Sequence, residues 1–178
     1  SAASDVYKRQ GIDGIGMEAT IIIAYYDGRY RDLVPPLIDP VQITSSGAVY
    51  RSVDGVTWDY IPSNLEGTGL TFVDLVIDAN GYAYALADDG TVYQCTGDWS
   101  SWSLYIGAYP GLSTATGITV DSTTNTFYMV ESGGNAYSDG GSQTWSNVGS
   151  RNPRGSIVDI TSIGGTLYLS LIHISEPT

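Results

Sequence analysis

Carboxylates are the residues of this chain whose type and spacing come closest to chemistry. Asp88 and Asp89 stand side by side before Gly90, and Asp74 interrupts an apolar run. Two carboxylates are enough for glycoside hydrolysis, where one protonates the leaving group and the other acts as nucleophile or base. An Asp-Asp-Gly sequence is, however, typical of a solvated turn. We therefore predict no catalytic residue from these carboxylates.

Other common catalytic groups are scarce. The chain has one His and seven Lys plus Arg, and His173 and Lys8, its only His and Lys, lie near the ends. The interior thus lacks the usual general base and the usual Schiff-base amine. Asp78 and Asn80 offer oxygens to a calcium ion, as do Asp88 and Asp89, but neither pair has the spacing of a calcium loop. We predict no metal site and no cofactor.

The charge balance limits the partners. Nineteen acidic residues face seven basic ones, giving a net charge of −12, which repels nucleic acid and anionic membranes. No apolar run reaches membrane-spanning length. The single cysteine, Cys95, has no internal disulfide partner and is predicted to be a small buried apolar residue. Abundant Gly, Ser, Thr, Tyr and Asp favour an extracellular, cell-surface or virion protein.

The two ends share an origin at the DNA level. Asp5–Gln10 can be encoded by GAT GTG TAT AAG AGA CAG, and the reverse complement of that sequence translates as Leu169–Ile174. Residues 1–10 and 169–178 resemble the translated transposase adapter of sequencing libraries. We exclude both ends from fold reasoning, and interpret residues 11–168 as an internal piece of a longer reading frame.

A repeat organises the interior. The stretch Tyr50–Trp58 returns, altered, as Tyr137–Trp145, and a degenerate copy, Tyr93–Trp102, lies between them. The tyrosines are 43 and then 44 residues apart, and the tryptophans 44 and then 43. A constant period of this size indicates a repeat architecture.

Each full repeat contains four short β-rich segments separated by turn residues, which is the pattern of a propeller blade. We predict an all-β fold, a partial β-propeller of four-stranded antiparallel blades, with about three blades plus the start of another. The blades span about residues 20–62, 70–106, 116–150 and, incompletely, 156–168. A β-sandwich is the competing architecture, but it does not predict a constant period with the same turn chemistry.

The repeated turn resembles the Asp-box, or BNR repeat, of sialidase-like propellers, with the pattern Ser-x-Asp-x-Gly-x-Thr-Trp. The first copy is one residue short between Asp and Trp, and the second is one residue long. The residues that carry the resemblance are Ser52, Asp54, Gly55, Thr57, Trp58, Ser138, Asp139, Gly140, Gly141, Thr144 and Trp145.

The resemblance implies a structural role for these turns, because in the family they lie at the blade periphery, away from the active centre. An Asp in a tight turn accepts backbone N–H groups that the sheet leaves unpaired. We expect Asp54 and Asp139 to do this, and Trp58 and Trp145 to be buried where blades meet.

Two functions remain. The first is a non-catalytic segment that binds glycan or protein, or is structural, with Trp99, Tyr105 and Tyr109 as possible contacts and with the remaining blades of the parent chain as neighbours. The alternative is a segment of a sialidase-like glycoside hydrolase whose catalytic residues lie outside it. The Arg-Ile-Pro motif of that family is absent, and Glu occurs only at positions 18, 66, 131 and 176, which leaves few options for a Tyr-Glu nucleophile pair.

Overall fold

A computed structural model describes residues 22–24, 41–54, 56–150, 156–163 and 166–172. Within these ranges the chain forms β-strands and turns and no helix. The strands are β1 (Ile22–Ala24), β2 (Val41–Ile43), β3 (Val49–Arg51), β4 (Asp59–Ile61), β5 (Phe72–Ile77), β6 (Ala83–Ala87), β7 (Val92–Cys95), β8 (Ser103–Ile106), β9 (Ala115–Asp121), β10 (Thr126–Glu131), β11 (Asn135–Ser138), β12 (Ser146–Ser150), β13 (Ser156–Ile163) and β14 (Thr166–Ile172).

Twelve of these strands form three four-stranded antiparallel sheets in which each strand pairs with its sequence neighbour. The first blade is β1–β4, the second β5–β8 and the third β9–β12, and β13 and β14 form a two-stranded hairpin. The predicted all-β class with four-stranded antiparallel blades is confirmed.

Local turn chemistry explains where the blades reverse direction. Asp78 Oδ1 accepts the backbone N–H groups of Asn80 and Tyr82, both at 2.9 Å. In the next blade Asp121 Oδ1 accepts the N–H of Thr123 at 2.8 Å. An Asp whose side chain accepts the backbone N–H two residues ahead nucleates a turn. Asp therefore stands at the end of the first strand in both the second and the third blade, one period apart.

The inner strands β5, β9 and β13 pack next to one another, blade by blade. Each has a one-residue bulge, at Val73, Thr116 and Val158. A bulge bends its strand and increases the local twist. The bulge recurs at equivalent positions, so the blades repeat this backbone irregularity as well as the order of their strands.

A carboxylate directly after the first bulge joins two blades. Asp74, which is 2% exposed, accepts the N–H of Leu75 at Oδ1 and that of Ile118, in the next blade, at Oδ2, both at 2.9 Å. The equivalent residue of the third blade is Gly117, where a Cβ would lie 3.2 Å from the Cα of Asp159. Glycine there permits close packing against β13.

The core lies between blades rather than within one sheet. One apolar cluster joins the first and second blades, another the second and third, and a small one the third blade and the hairpin. Cys95, at 2% exposure, belongs to the first of these clusters, as predicted. Stacked sheets bury alternate residues of each strand, so most of the core depends on neighbouring blades.

Three further expectations from the sequence can be compared with the structure. β14 continues through Leu169–Ile172, residues that the sequence assigns to the adapter, and the non-native origin of both ends stays a prediction. Residues 25–40, which belong to the predicted first blade, lie outside the described residues. No helix of the described chain is long and apolar enough to cross a membrane.

Candidate functional site

The first repeated turn is built around the carboxylate of Asp54. Its Oδ1 accepts the backbone N–H groups of Val56 and Thr57 at 2.8 and 2.7 Å and the Ser52 hydroxyl at 3.0 Å. Its Oδ2 accepts the Thr57 hydroxyl at 3.1 Å. Ser, Asp and Thr of the repeat therefore act as one hydrogen-bonded unit, while Gly55 lies outside the described residues.

These hydrogen bonds keep the carboxyl group of Asp54 ionised. Hydrogen bonds from the Thr57 and Val56 amides lower the pKa of Asp54 to about 2. A carboxyl group with so low a pKa is ionised at neutral pH and is a poor proton donor. This geometry suits a turn-holding residue rather than a general acid.

The second repeated turn holds its carboxylate differently. Asp139 is 2% exposed, and its Oδ1 accepts the N–H groups of Phe127 at 2.8 Å and Gly141 at 3.1 Å. The extra residue of this turn places the Thr144 hydroxyl 2.8 Å from that of Ser142 instead of on the carboxylate. Asp139 Oδ2 is consequently buried with no hydrogen-bond partner among the described residues.

The rest of the second turn follows the sequence expectation in part. Gly140 and Gly141 have φ of 55° and 76°, a region that glycine enters without strain, and Ser138 Oγ accepts the Gly140 N–H at 3.1 Å. Gln143 also has a positive φ, 58°. A glutamine in this region is strained, which sequence analysis did not identify.

The tryptophans of the repeat differ in burial. Trp145 is 7% exposed, and its indole Nε1–H donates to the carbonyl of Gly90 in the second blade at 2.7 Å. Trp102, in the degenerate copy, is 3% exposed and donates to the Trp99 carbonyl at 2.9 Å. Trp58 is only half-buried, so the expected burial where blades meet is not seen in the described chain. The described residues hold no blade before the first one for it to pack against.

The three aromatic residues proposed as ligand contacts do not form one site. Trp99 packs against Trp102, with ring centroids 6.4 Å apart. Tyr105 lies between blades, 5.1 Å from the ring of Tyr84. Tyr109 lies in the connection between β8 and β9, 4.8 Å from the ring of Tyr137. All three proposed contacts are half-buried, and Tyr109 alone stands at a connection between blades.

The connection between β8 and β9 meets the turn between β10 and β11, and Glu131 lies where they meet. Glu131, 3% exposed, accepts the Ser113 N–H at 2.9 Å and the Ser113 hydroxyl at 3.1 Å through Oε2. Its Oε1 accepts the side-chain amide of Asn135. Burial opposes ionisation, but hydrogen bonds from Ser113, Asn135 and Tyr137 outweigh it and lower the pKa of Glu131.

Sequence reasoning missed this cluster as a unit. Glu131 and Tyr137 are the acid and phenol types of the Tyr-Glu pair that a resemblance to sialidases implies, and the fold does bring them together. Ser113, however, is 18 residues away from Glu131, and nothing in the sequence marks it as a partner. The available signal was a Glu at the end of an apolar strand, directly before Ser132 and two glycines.

The remaining carboxylates that were considered for catalysis are used by the fold or stand alone. Asp74 bonds two inner strands, and Asp89 Oδ1 accepts the Thr91 N–H at 2.8 Å. Asp88 is half-buried in the same turn. Over the described ranges, no group of three or more His, Cys, Asp or Glu side chains is placed to hold a metal ion.

Comparison with solved structures decides the architecture. The chain resembles virginiamycin B lyase from Staphylococcus aureus (TM-score 0.59, 14% identity), YCF48 bound to D1 peptide (0.55, 13%) and the nidogen/laminin complex (0.54, 16%). These neighbours are β-propellers. The chain has a β-propeller fold. Each comparison covers 85% of this chain and 51 to 54% of the solved one, so the chain spans about half their length.

No family model matches the chain, and no curated protein matches its sequence. The solved structures are all under 25% identical to it and therefore show the fold alone. Two of them were solved with a peptide or protein partner, D1 peptide for YCF48 and laminin for nidogen.

Proposed function

We propose that the chain is a non-catalytic β-propeller segment that binds a protein or peptide at the end of the blades where the connections between blades lie. The observation that carries this is the state of Glu131. Glu131 lies beside Tyr137 at this end, and its side chain is buried and accepts hydrogen bonds at both oxygens. An acid held in this way organises a surface and is not free to exchange protons with a substrate.

Tyr109 is the centre of the proposed contact. Its ring packs against the ring of Tyr137, and its backbone N–H donates to the Asp89 carbonyl at 3.2 Å. Tyrosine combines apolar area with a polar tip at little entropic cost, which makes it effective at protein interfaces. The net charge of −12 favours a partner segment that carries basic residues. The peptide and laminin complexes of two structural neighbours support a protein partner.

The two repeated turns fit an Asp-box role, in which the carboxylate ties a peripheral turn together. The bonds of Asp54 to the backbone of Val56 and Thr57 support this assignment. A secreted, surface or phage-particle location follows from composition and is part of the same proposal.

The alternative is a segment of a sialidase-like glycoside hydrolase with its catalytic residues elsewhere in the parent protein. The resemblance of the two turns to Asp-boxes favours it. The Tyr137 and Glu131 pair does not supply the nucleophile within this chain, since a substrate cannot reach a Glu that is 3% exposed.

Binding selection on the full chain tests the proposal. The immobilised chain is panned with a random dodecapeptide phage library, probed on a glycan array, and assayed with 4-methylumbelliferyl N-acetylneuraminic acid. We expect peptides whose affinity falls at least tenfold in Tyr109→Ser. Tyr82→Ser is the matched control, because Tyr82 is 38% exposed at the turn between β5 and β6, at the other end of the strands.

Three outcomes contradict the proposal. The first is binding of glycans but not peptides, and the second is peptide binding that Tyr109→Ser leaves unchanged while circular dichroism shows both variants folded. The third is hydrolysis of the fluorogenic sialoside that Glu131→Gln abolishes, which would make the chain an enzyme.

A further inference from the structure

An aromatic pair recurs on the side of each blade that faces the preceding blade. In the second blade Tyr93 and Trp102 pack into the cluster shared with the first blade. In the third blade Tyr137 and Trp145 pack into the cluster shared with the second blade. The pairs occupy equivalent positions, because Tyr93 and Tyr137 each pair with a residue of the fourth strand of their own blade.

The first blade has the same pair, Tyr50 and Trp58, on the side away from the second blade. Val49 and Ile61, directly opposite each other in the sheet, point into the cluster shared with the second blade. Tyr50 and Tyr60, the next opposed pair, therefore lie on the other face. Their rings are 5.7 Å apart, and Tyr60 is 49% exposed. We call Tyr50, Trp58 and Tyr60 the first-blade face.

We propose that the first-blade face is the docking surface for a further four-stranded propeller blade. That blade supplies a turn carbonyl to the indole N–H of Trp58, as Gly90 does for Trp145. The proposal rests on the fold and not on the proposed binding function. Burial of Trp58 in such an interface explains why a tryptophan is placed where the described chain leaves it half-exposed.

A complete blade fits this face better than the hairpin side of a second copy does. The face lies on the outer strands β3 and β4 and their turn, so the occupant needs third and fourth strands to cover it. The other open side of the described chain is the hairpin β13–β14, which offers only two strands. The matched part of this chain covers only 51 to 54% of the solved propellers, which leaves room in a ring for further blades.

A blade-extended chain tests the proposal. Residues 63–114, the second blade with the connections before and after it, are duplicated and placed before residue 20 of the chain in place of residues 1–19. Tryptophans are replaced by 5-fluorotryptophan, and the solvent isotope shift of each ¹⁹F signal reports water access. We expect the Trp58 shift, present in the original chain, to fall to the level of Trp145 in the extended chain. Trp99 and Trp102 of the added copy are replaced by Phe, so that Trp99 of the original second blade, which is half-buried, is the control and keeps its shift.

Unfolding midpoints test the same proposal independently of the ¹⁹F signals. In the original chain Trp58→Ser changes the unfolding midpoint by less than half as much as Trp145→Ser, and in the extended chain the two changes become equal. An extended chain that melts below the original one, or that leaves Trp58 open to water, overturns the proposal. A dimer of the original chain that Trp58→Ser dissociates and Leu104→Ser does not would assign the face to a second copy, and would also overturn it.

Discussion

A single indole shows how individual residues hold this molecule together. Trp145 belongs to the third blade, yet its N–H is satisfied by the carbonyl of Gly90 in the second. Burial of the ring and a hydrogen bond across the interface act together, so loss of the side chain leaves both a cavity and an unpaired carbonyl.

We expect Trp145→Ala to lower the free energy of unfolding by about 3–5 kcal/mol, as large-to-small aromatic changes in cores do. Trp58→Ala, the matched control in the first copy of the repeat, should cost less than half as much because Trp58 is half-exposed. Urea unfolding followed by circular dichroism gives both values. Equal costs would show that Trp58 is buried in solution.

Gln143 offers a gain in stability at the residue scale. Its φ of 58° is unfavourable for any residue with a Cβ. Gln143→Gly should therefore raise the free energy of unfolding by up to about 1 kcal/mol, measured by the same urea titration. Gln143→Ala keeps the Cβ and serves as the control, and a gain of equal size in both variants would exclude relief of backbone strain.

At the scale of elements, carboxylates bond strands and turns to each other. Asp74 is the strongest case, since its two oxygens accept one N–H from its own strand and one from the next blade. Within the described residues, Asp159 has only the first half of this arrangement, with Oδ1 accepting the Ile160 N–H at 2.8 Å. The pair permits a direct comparison of a carboxylate within one strand and a carboxylate between two blades.

Asp74→Asn should cost about 1–3 kcal/mol, because the amide nitrogen that replaces one oxygen leaves a buried N–H without an acceptor. Amide hydrogen exchange should also accelerate at Ile118, the residue across the interface. Asp159→Asn, half-buried, is the control and should cost less. Unchanged exchange at Ile118 in Asp74→Asn would mean that the bond between the blades does not form.

The carboxylates also predict how stability depends on pH. Backbone amides lower the pKa of Asp54 to about 2 from 3.8, and bonds from Ser100 and Thr123 lower the pKa values of Asp98 and Asp121. Groups with a lower pKa in the folded state bind fewer protons there, so their stabilisation is present above their ordinary pKa and is lost as pH falls through the folded pKa.

The thermal midpoint should therefore hold from pH 7 to about 4, helped by relief of self-repulsion as the net charge of −12 is neutralised, and fall between pH 4 and 2. Thermal melts at half-unit steps measure this. Asp54→Asn should make the decline shallower. A midpoint that is constant from pH 4 to 2 would contradict the turn geometry.

The sequence predicted the features that are local and repeated. The 43–44 residue period, the four-stranded blades and the Asp-centred turns all depend on contacts within a few residues, and the structure contains them. The half-buried state of Trp58 and the Glu131 cluster were not predicted because both depend on other parts of the molecule. Burial of Trp58 needs a neighbouring blade, and Glu131 obtains its donors from Ser113, 18 residues away. Sequence spacing alone specifies neither the neighbouring blade nor the Ser113 contact.

At the scale of the whole molecule, stability lies between blades. The apolar clusters join adjacent blades, so each blade depends on its neighbour, as in other repeat architectures. The two sides without a neighbour in the described chain have exposed apolar side chains, among them Tyr60 at 49% and Tyr168 at 54%. The described chain is thus a stack of propeller blades. Its stability depends more on the packing between blades than on any one blade.

Nuclear Overhauser contacts from the Trp145 indole proton test this arrangement most directly. In a propeller stack the indole proton lies against Gly90 of the preceding blade, where the donor and acceptor atoms are 2.7 Å apart, and strong contacts to Gly90 and Thr91 are expected. In a β-sandwich the sheets would pair differently. Contacts from the Trp145 indole only to residues of its own sheet would contradict the propeller arrangement.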